Sequence, residues 1–97
     1  MVVVATVKVK TGSEAVAEAL FRRHIDYVRR EEPGTVVYAL QRARKEPRAF
    51  LFYERYADGA AFDRHGKSAA MQSLYRDLTP ILDGPPTIEF YDEVDAK

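Results

Sequence analysis

The chain has 97 residues with 15 basic and 15 acidic side chains, so its formal net charge is zero. This length predicts a single domain over residues 1–97, and the balanced charge argues against nucleic acid as a partner. No apolar run approaches the roughly 20 residues that span a bilayer, and the opening MVVVATV is too short for a signal peptide core. We therefore expect a cytoplasmic protein that makes no membrane contact. The absence of cysteine excludes disulfides, thiolate nucleophiles and cysteine metal sites.

The first third of the sequence predicts a strand followed by a long amphipathic helix. The segment from Val2 to Val9 is rich in β-branched side chains, which is typical of a strand. Ser13 is placed to cap a helix that runs from about Glu14 to Arg30. Glu31-Glu32-Pro33-Gly34 ends this helix, because proline disfavours helical backbone in the residue before it. One half of the helix is charged, and the other half carries Val16, Ala17, Leu20, Phe21, Ile25, Tyr27 and Val28.

The remainder predicts two strands, two short helices and a final strand. The two strands cover Thr35 to Arg42 and Ala49 to Ala57, and a mostly basic loop joins them. Asp58 and Ser68 are suitable N-caps for the two short helices, and the last strand runs from Thr87 to Val94. The order is βαββαβ with the second helical region split in two. It predicts an α+β ferredoxin-like sandwich, in which one antiparallel sheet carries its helices on one face.

The third predicted strand is apolar on both sides, which is unusual for a sheet that has helices on one face only. Alternation puts Phe50, Phe52, Glu54 and Tyr56 on one side, and Leu51, Tyr53 and Arg55 on the other. An antiparallel sheet with one face in water normally alternates apolar and polar residues. We therefore predict that a second copy packs on the uncovered face in a two-fold homodimer. The competing interpretation is that these aromatic side chains border a ligand groove.

Two histidines are the candidate catalytic residues. His24 lies near the middle of the apolar arc of the first helix, and His65 lies three residues after the inward-pointing Phe62. Each could bind a substrate oxygen or move a proton near neutral pH. The alternative is a buried structural histidine at position 24 and a cap or surface histidine at position 65. Their separation matches no metal-ligand spacing, so no metal site is predicted.

Aromatic side chains are the candidate substrate-binding residues. Taken one at a time, each is also compatible with a plain core or dimer contact. The hydroxyl of a buried tyrosine needs a hydrogen-bond partner, which favours an internal polar site. The candidates are Tyr38, Tyr53, Tyr56, Phe62 and Tyr75.

The order of these elements resembles the antibiotic biosynthesis monooxygenase domain family over nearly the whole chain. The matching features are the start ATVKVKTGSEA, the turn EPG, the strand FLFYERYAD and the run AAFDRHGKS, followed by a helix with Met71 and Leu74. The resemblance implies a dimer of ferredoxin-like subunits with a pocket between sheet and helices. Some members oxidise aromatic polyketides or quinols with dioxygen and no cofactor, while others degrade haem or isomerise phosphorylated metabolites.

The resemblance also narrows the choice of activity. Haem-degrading members use an Asn, a Trp and a haem-ligating His, which align with Ala5 or Thr6, with His65 and with Tyr75. All three differ here, so haem degradation is not expected. The resemblance implies a cofactor-independent monooxygenase that oxidises a small phenolic, quinol or polyketide-like compound. A non-redox isomerase or a small-ligand binding dimer on the same scaffold is the alternative.

Overall fold

The computed structural model describes all 97 residues as a four-stranded antiparallel sheet with helices on one face. The strand order is β2-β3-β1-β4, so the two central strands are β3 and β1. The ferredoxin-like α+β architecture predicted from the sequence is confirmed. No helix is long and apolar enough to cross a membrane. The elements are β1 Val2–Lys8, α1 Glu14–Glu31, β2 Thr35–Arg42, β3 Ala49–Tyr56, α2 Gly59–Lys67, α3 Ala69–Leu78, a 3₁₀ turn Thr79–Ile81, and β4 Thr87–Tyr91.

The predicted element boundaries hold within one residue except at the last strand. Strand β4 ends at Tyr91 rather than at Val94, because Tyr91 pairs with Val2, the first residue of β1. Ser13 occupies the N-cap position of α1, yet its side chain makes no capping hydrogen bond. The Glu14 carboxylate instead accepts a bond of 2.7 Å from the Gly12 backbone N–H. This bond holds the turn before α1 against the first helical residue, and the negative charge of Glu14 also suits the N-terminal end of the helix dipole.

The core lies between the sheet and helix α1. Phe21 packs edge-on against both Phe50 and Phe52 of β3, with ring centroids 5.3 and 5.1 Å apart. The helix also buries Ala17 and Val28. Val16, expected on the apolar face, is 55% exposed. It lies in the first turn of α1, whose buried residues begin at Ala17.

The turn between α1 and β2 approaches helix α2 closely. A Cβ added to Gly34 would lie 2.7 Å from the Cβ of Ala61, closer than two carbon atoms can pack. Glycine at this position therefore lets the end of α1 and the start of α2 come together. Asp58 caps α2 by accepting a bond of 2.8 Å from the Ala61 backbone N–H, as predicted. This contact brings Glu32, at the end of α1, beside α2.

The second face of the sheet has no helix on it. Strand register places Val4, Ala39, Leu51 and Tyr53 on this face, opposite the helices. Each of these side chains is only half-buried. The two-sided apolar pattern predicted from the sequence is therefore present in the fold.

Candidate functional site

A cavity of about 260 Å³ lies between the helix-facing side of the sheet and helices α2 and α3. Twelve of its sixteen lining residues are hydrophobic, including Ala5, Phe52 and Met71. Ile88 and Tyr75 also line it, and both are at least 40% exposed, so this side forms the mouth of the cavity. The interior is an apolar pocket that can exclude water from a bound aromatic ring.

Four ionisable side chains line this cavity, and none of them is a lysine or arginine. They are Tyr38 on β2, Glu54 on β3, His65 on α2 and Tyr75 on α3. Burial is the main cause that raises the pKa of Tyr38 well above its usual range, so its hydroxyl stays protonated. The cavity therefore presents hydrogen-bonding groups of low charge in apolar walls.

His65 is held by a carboxylate from outside the cavity. Its side chain is almost fully buried, and its Nδ1 lies 2.7 Å from Oε1 of Glu32. The same oxygen accepts a bond of 2.9 Å from the Thr35 hydroxyl. A carboxylate at Nδ1 favours the tautomer with its proton there, which leaves a lone pair on Nε2. That Nε2 is buried without a partner in the protein, so a ligand in the cavity would supply one.

Glu54 is a second buried polar group on the same cavity. Its carboxylate accepts a hydrogen bond from the Tyr56 hydroxyl, and its residue is 5% exposed. The pKa of this carboxyl is raised to about 7. Burial is the largest cause, the Tyr56 hydrogen bond partly opposes it, and the negative charge of Glu32 adds to it. Glu54 therefore titrates in the physiological range, where a group can exchange protons with a ligand.

His24 lies behind His65 rather than in the cavity wall. Their ring centroids are 5.7 Å apart, and His24 is 4% exposed. Burial, helped by the neighbouring His65, lowers the pKa of His24 to about 4, so its ring is neutral at pH 7. Its Nε2 has no partner in the protein. His24 borders a different surface depression, together with Tyr27 and Ser73.

The predicted site residues fall into three groups. Tyr56 and His24 lie behind the residues that line the cavity. Tyr56 contacts the lining residue Glu54 through its hydroxyl, and the ring of His24 lies against that of His65. Tyr53 lies on the opposite face of the sheet, since it alternates with Phe52 and Glu54 along β3. Its position therefore does not match the predicted role in substrate binding. The cavity wall itself contains His65, Tyr38, Phe62 and Tyr75.

Sequence reasoning missed both carboxylates. Glu54 is the one acidic residue among the aromatic side chains on the inward side of β3. A carboxyl group at a buried position indicates a polar site and could have been noticed in the sequence. Glu32 precedes a proline turn, where nothing in the sequence distinguishes it from Glu31. Only the contact between the two helices places it on His65. No group of three or more His, Cys, Asp or Glu side chains converges as a metal-binding set.

Comparison with known proteins places this geometry in a family. The model of the family described as antibiotic biosynthesis monooxygenase matches residues 1–76. A Caulobacter crescentus CB15 protein, assigned to the same family, is 33% identical, with a TM-score of 0.92 over 97% of this chain and 89% of its own. Protein SO0527 from Shewanella oneidensis is 34% identical, with a TM-score of 0.84 over 93% of this chain and 86% of its own.

A further solved structure, named as an antibiotic biosynthesis monooxygenase, is 26% identical to this chain. Its TM-score is 0.90, with coverage of 98% of this chain and 100% of its own. No protein with a curated function is significantly similar to the chain.

Proposed function

Because the chain belongs to the antibiotic biosynthesis monooxygenase family, we propose that it oxidises a small phenolic, quinol or polyketide-like aromatic compound with dioxygen and without a cofactor. The observation that carries the proposal is the apolar cavity with a carboxylate-backed histidine in its wall. We assign the base to His65 rather than to His24, because His65 borders the cavity.

The cavity favours an uncharged aromatic ligand. Its walls are mostly hydrophobic, and Tyr38 and Phe52 offer stacked ring surfaces with centroids 4.7 Å apart. At about 260 Å³ the cavity lies below the roughly 300–1,000 Å³ typical of sites for drug-sized ligands. No lysine or arginine lines it, so a phosphorylated ligand would lack a countercharge.

The proposed reaction begins with proton removal by His65. Nε2 accepts the phenolic proton, and the Glu32 carboxylate at Nδ1 stabilises the imidazolium that forms. The resulting aromatic anion is electron-rich and lies in a pocket that excludes water. Apolar walls protect reactive intermediates from hydrolysis and from stray protons.

Dioxygen then reacts with the anion directly. One electron passes from the anion to dioxygen, and the superoxide and the substrate radical combine at a ring carbon that is a methylene in the keto tautomer of the phenol. The peroxide takes the proton back from His65, and the resulting hydroperoxide loses water to give a carbonyl. One oxygen atom enters the product and the other leaves as water, so CH₂ and O₂ become C=O and H₂O. The substrate supplies all four electrons, which is why no external reductant is needed.

Oxygen uptake by the purified protein tests this proposal, with anthrone and 1,4-naphthalenediol as substrates and autoxidation subtracted. We expect His65→Gln to lower the protein-dependent rate by at least about 100-fold, the usual contribution of a positioned base. Glu32→Gln should also lower the rate, whereas Glu31→Gln, an exposed neighbour, should not. Absence of protein-dependent uptake, or an unchanged rate in His65→Gln, would contradict the proposal.

We also propose that the protein works as a homodimer in the cytoplasm, joined through the sheet face that carries no helix. Support comes from Val4, Leu51 and Tyr53, which are apolar, lie together and are only half-buried in one subunit. A second sheet packed there would remove this surface from water. The cavity opens on the other side of the sheet, so such packing leaves its mouth free.

An isomerase remains the second candidate, and one observation favours it. His65 and Glu54 border the same cavity, so one could remove a proton and the other could return it elsewhere on the ligand. Such a reaction would proceed without oxygen. Protein-dependent deuterium exchange into anthrone under nitrogen, with no protein-dependent oxidation when air is admitted, would favour this activity over the monooxygenase.

A further inference from the structure

We propose that Glu54, in its protonated form, donates a hydrogen bond to a carbonyl oxygen of the ligand. The cavity would then select uncharged aromatic compounds that carry a ketone, and it would reject carboxylates and phosphates. This inference rests on the proposed function only in using the same cavity for the ligand.

The position of Glu54 is the first support. It lies on the central strand β3, with Val3 and Tyr38 as its cross-strand neighbours on the cavity side of the sheet. Its single side-chain hydrogen bond is the one it accepts from the Tyr56 hydroxyl at Oε1. Tyr56 is 2% exposed, so its hydroxyl has no water to turn towards. With Oε1 occupied as an acceptor, Oε2 is the oxygen that can carry a proton and donate it.

The surrounding charges are the second support. The ionisable groups around Glu54 are Tyr38 from β2, Tyr56 from its own strand, Glu32 from the end of α1, His65 from α2 and Tyr75 from α3. None of them is a lysine or arginine. Two carboxylates in one interior disfavour double ionisation. Glu32 has both His65 and Thr35 as donors, so it is the one stabilised as the anion.

A proton on Glu54 would help the chemistry as well as the binding. When His65 removes a proton from a phenol conjugated with a ketone, negative charge moves to the ketone oxygen. A neutral carboxyl donor at that oxygen stabilises the charge as it develops. An anionic ligand would instead place a second negative charge near Glu32, with no lysine or arginine in the cavity wall to offset it.

A pair of ligands that differ in one ketone isolates this hydrogen bond. The probes are 1-tetralone and tetralin, neither of which ionises, and their dissociation constants are measured by calorimetry under nitrogen. At pH 6 we expect Glu54→Leu to reduce the preference for the ketone, taken as the ratio of the two constants, by about tenfold. The wild-type ratio should fall similarly between pH 6 and pH 8.5, as Glu54 ionises.

Glu54→Gln is the matched variant, because its amide still donates a hydrogen bond but does not titrate. It should keep the ketone preference at both pH values. The infrared carbonyl stretch of bound tetralone should lie lower in wild type at pH 6 than at pH 8.5, which needs no variant to fold. A ketone preference that is absent at pH 6, or that changes with neither pH nor Glu54→Leu, overturns the proposal. None of these measurements uses oxygen, so failure of oxygen uptake alone would leave them standing.

Discussion

At the scale of single residues, three buried polar side chains separate this interior from an ordinary core. They are His24, Glu54 and His65. Each is surrounded by aromatic rings, and Tyr38 lies within 6 Å of both histidines by ring centroid. Buried polar groups cost free energy unless they are paired. Both histidines have an Nε2 without a partner, and the Nε2 of His65, which borders the cavity, is the one that a ligand there could reach.

The raised pKa of Glu54 makes a prediction about stability. Its folded pKa, about 7, lies above the ordinary value of 4.5. The folded state therefore binds the proton more tightly, and this stabilisation is lost as pH rises from 4.5 to 7. We expect wild type to lose about 3 kcal/mol over this range relative to Glu54→Gln, at 1.36 kcal/mol per pKa unit. Urea unfolding of both proteins at pH 4.5, 6 and 8 measures the difference. Parallel stability curves would show that Glu54 is not held in its neutral form.

At the scale of elements, the corner between α2 and α3 sets the shape of the cavity. Ser68 serves both helices, since its hydroxyl donates to the His65 carbonyl at 2.9 Å and accepts from the Met71 backbone N–H at 3.0 Å. The corner thus fixes two lining residues, one on each helix. A single continuous helix could not turn both side chains towards the same space.

The two predicted serine caps differ, which gives a matched pair of variants. Ser68→Ala removes a capping bond and should destabilise the protein by about 1 kcal/mol. Ser13→Ala removes no capping bond, so its effect should stay within about 0.5 kcal/mol. Chemical denaturation of both variants against wild type measures the contrast. Equal losses would mean that Ser13 caps α1 in solution.

At the scale of the whole molecule, both faces of the sheet are apolar, but helices cover only one of them. Tyr53→Lys places a charge at the centre of the proposed dimer interface, so we expect light scattering to show half the mass of wild type. Val16→Lys is the control, because Val16 is also apolar but lies exposed on α1. It should remain dimeric. Wild-type protein that stays at the chain mass of 11.0 kDa at high concentration would rule out the dimer.

The sequence by itself determined the element order, and with it the architecture. Alternation in β3 and the apolar arc of α1 are local periodic patterns, and proline and glycine mark where they end. These signals are strong enough to fix the fold class, to show which side chains of a strand share a face, and to point Phe62 inward. Local patterns do not fix the end of a strand where that end depends on the neighbouring strand. Strand β4 ends at Tyr91 because Tyr91 pairs with Val2, where β1 begins.

Only the tertiary structure decided which polar groups share a site. Glu32 and His65 are 33 residues apart, and they meet because glycine at position 34 allows α1 and α2 to approach. The two sides of β3 look alike in sequence, yet helices cover just one, so Glu54 enters the cavity and Tyr53 does not. Periodicity specifies which side chains share a face, whereas the chemistry depends on distances between faces, and packing alone sets those.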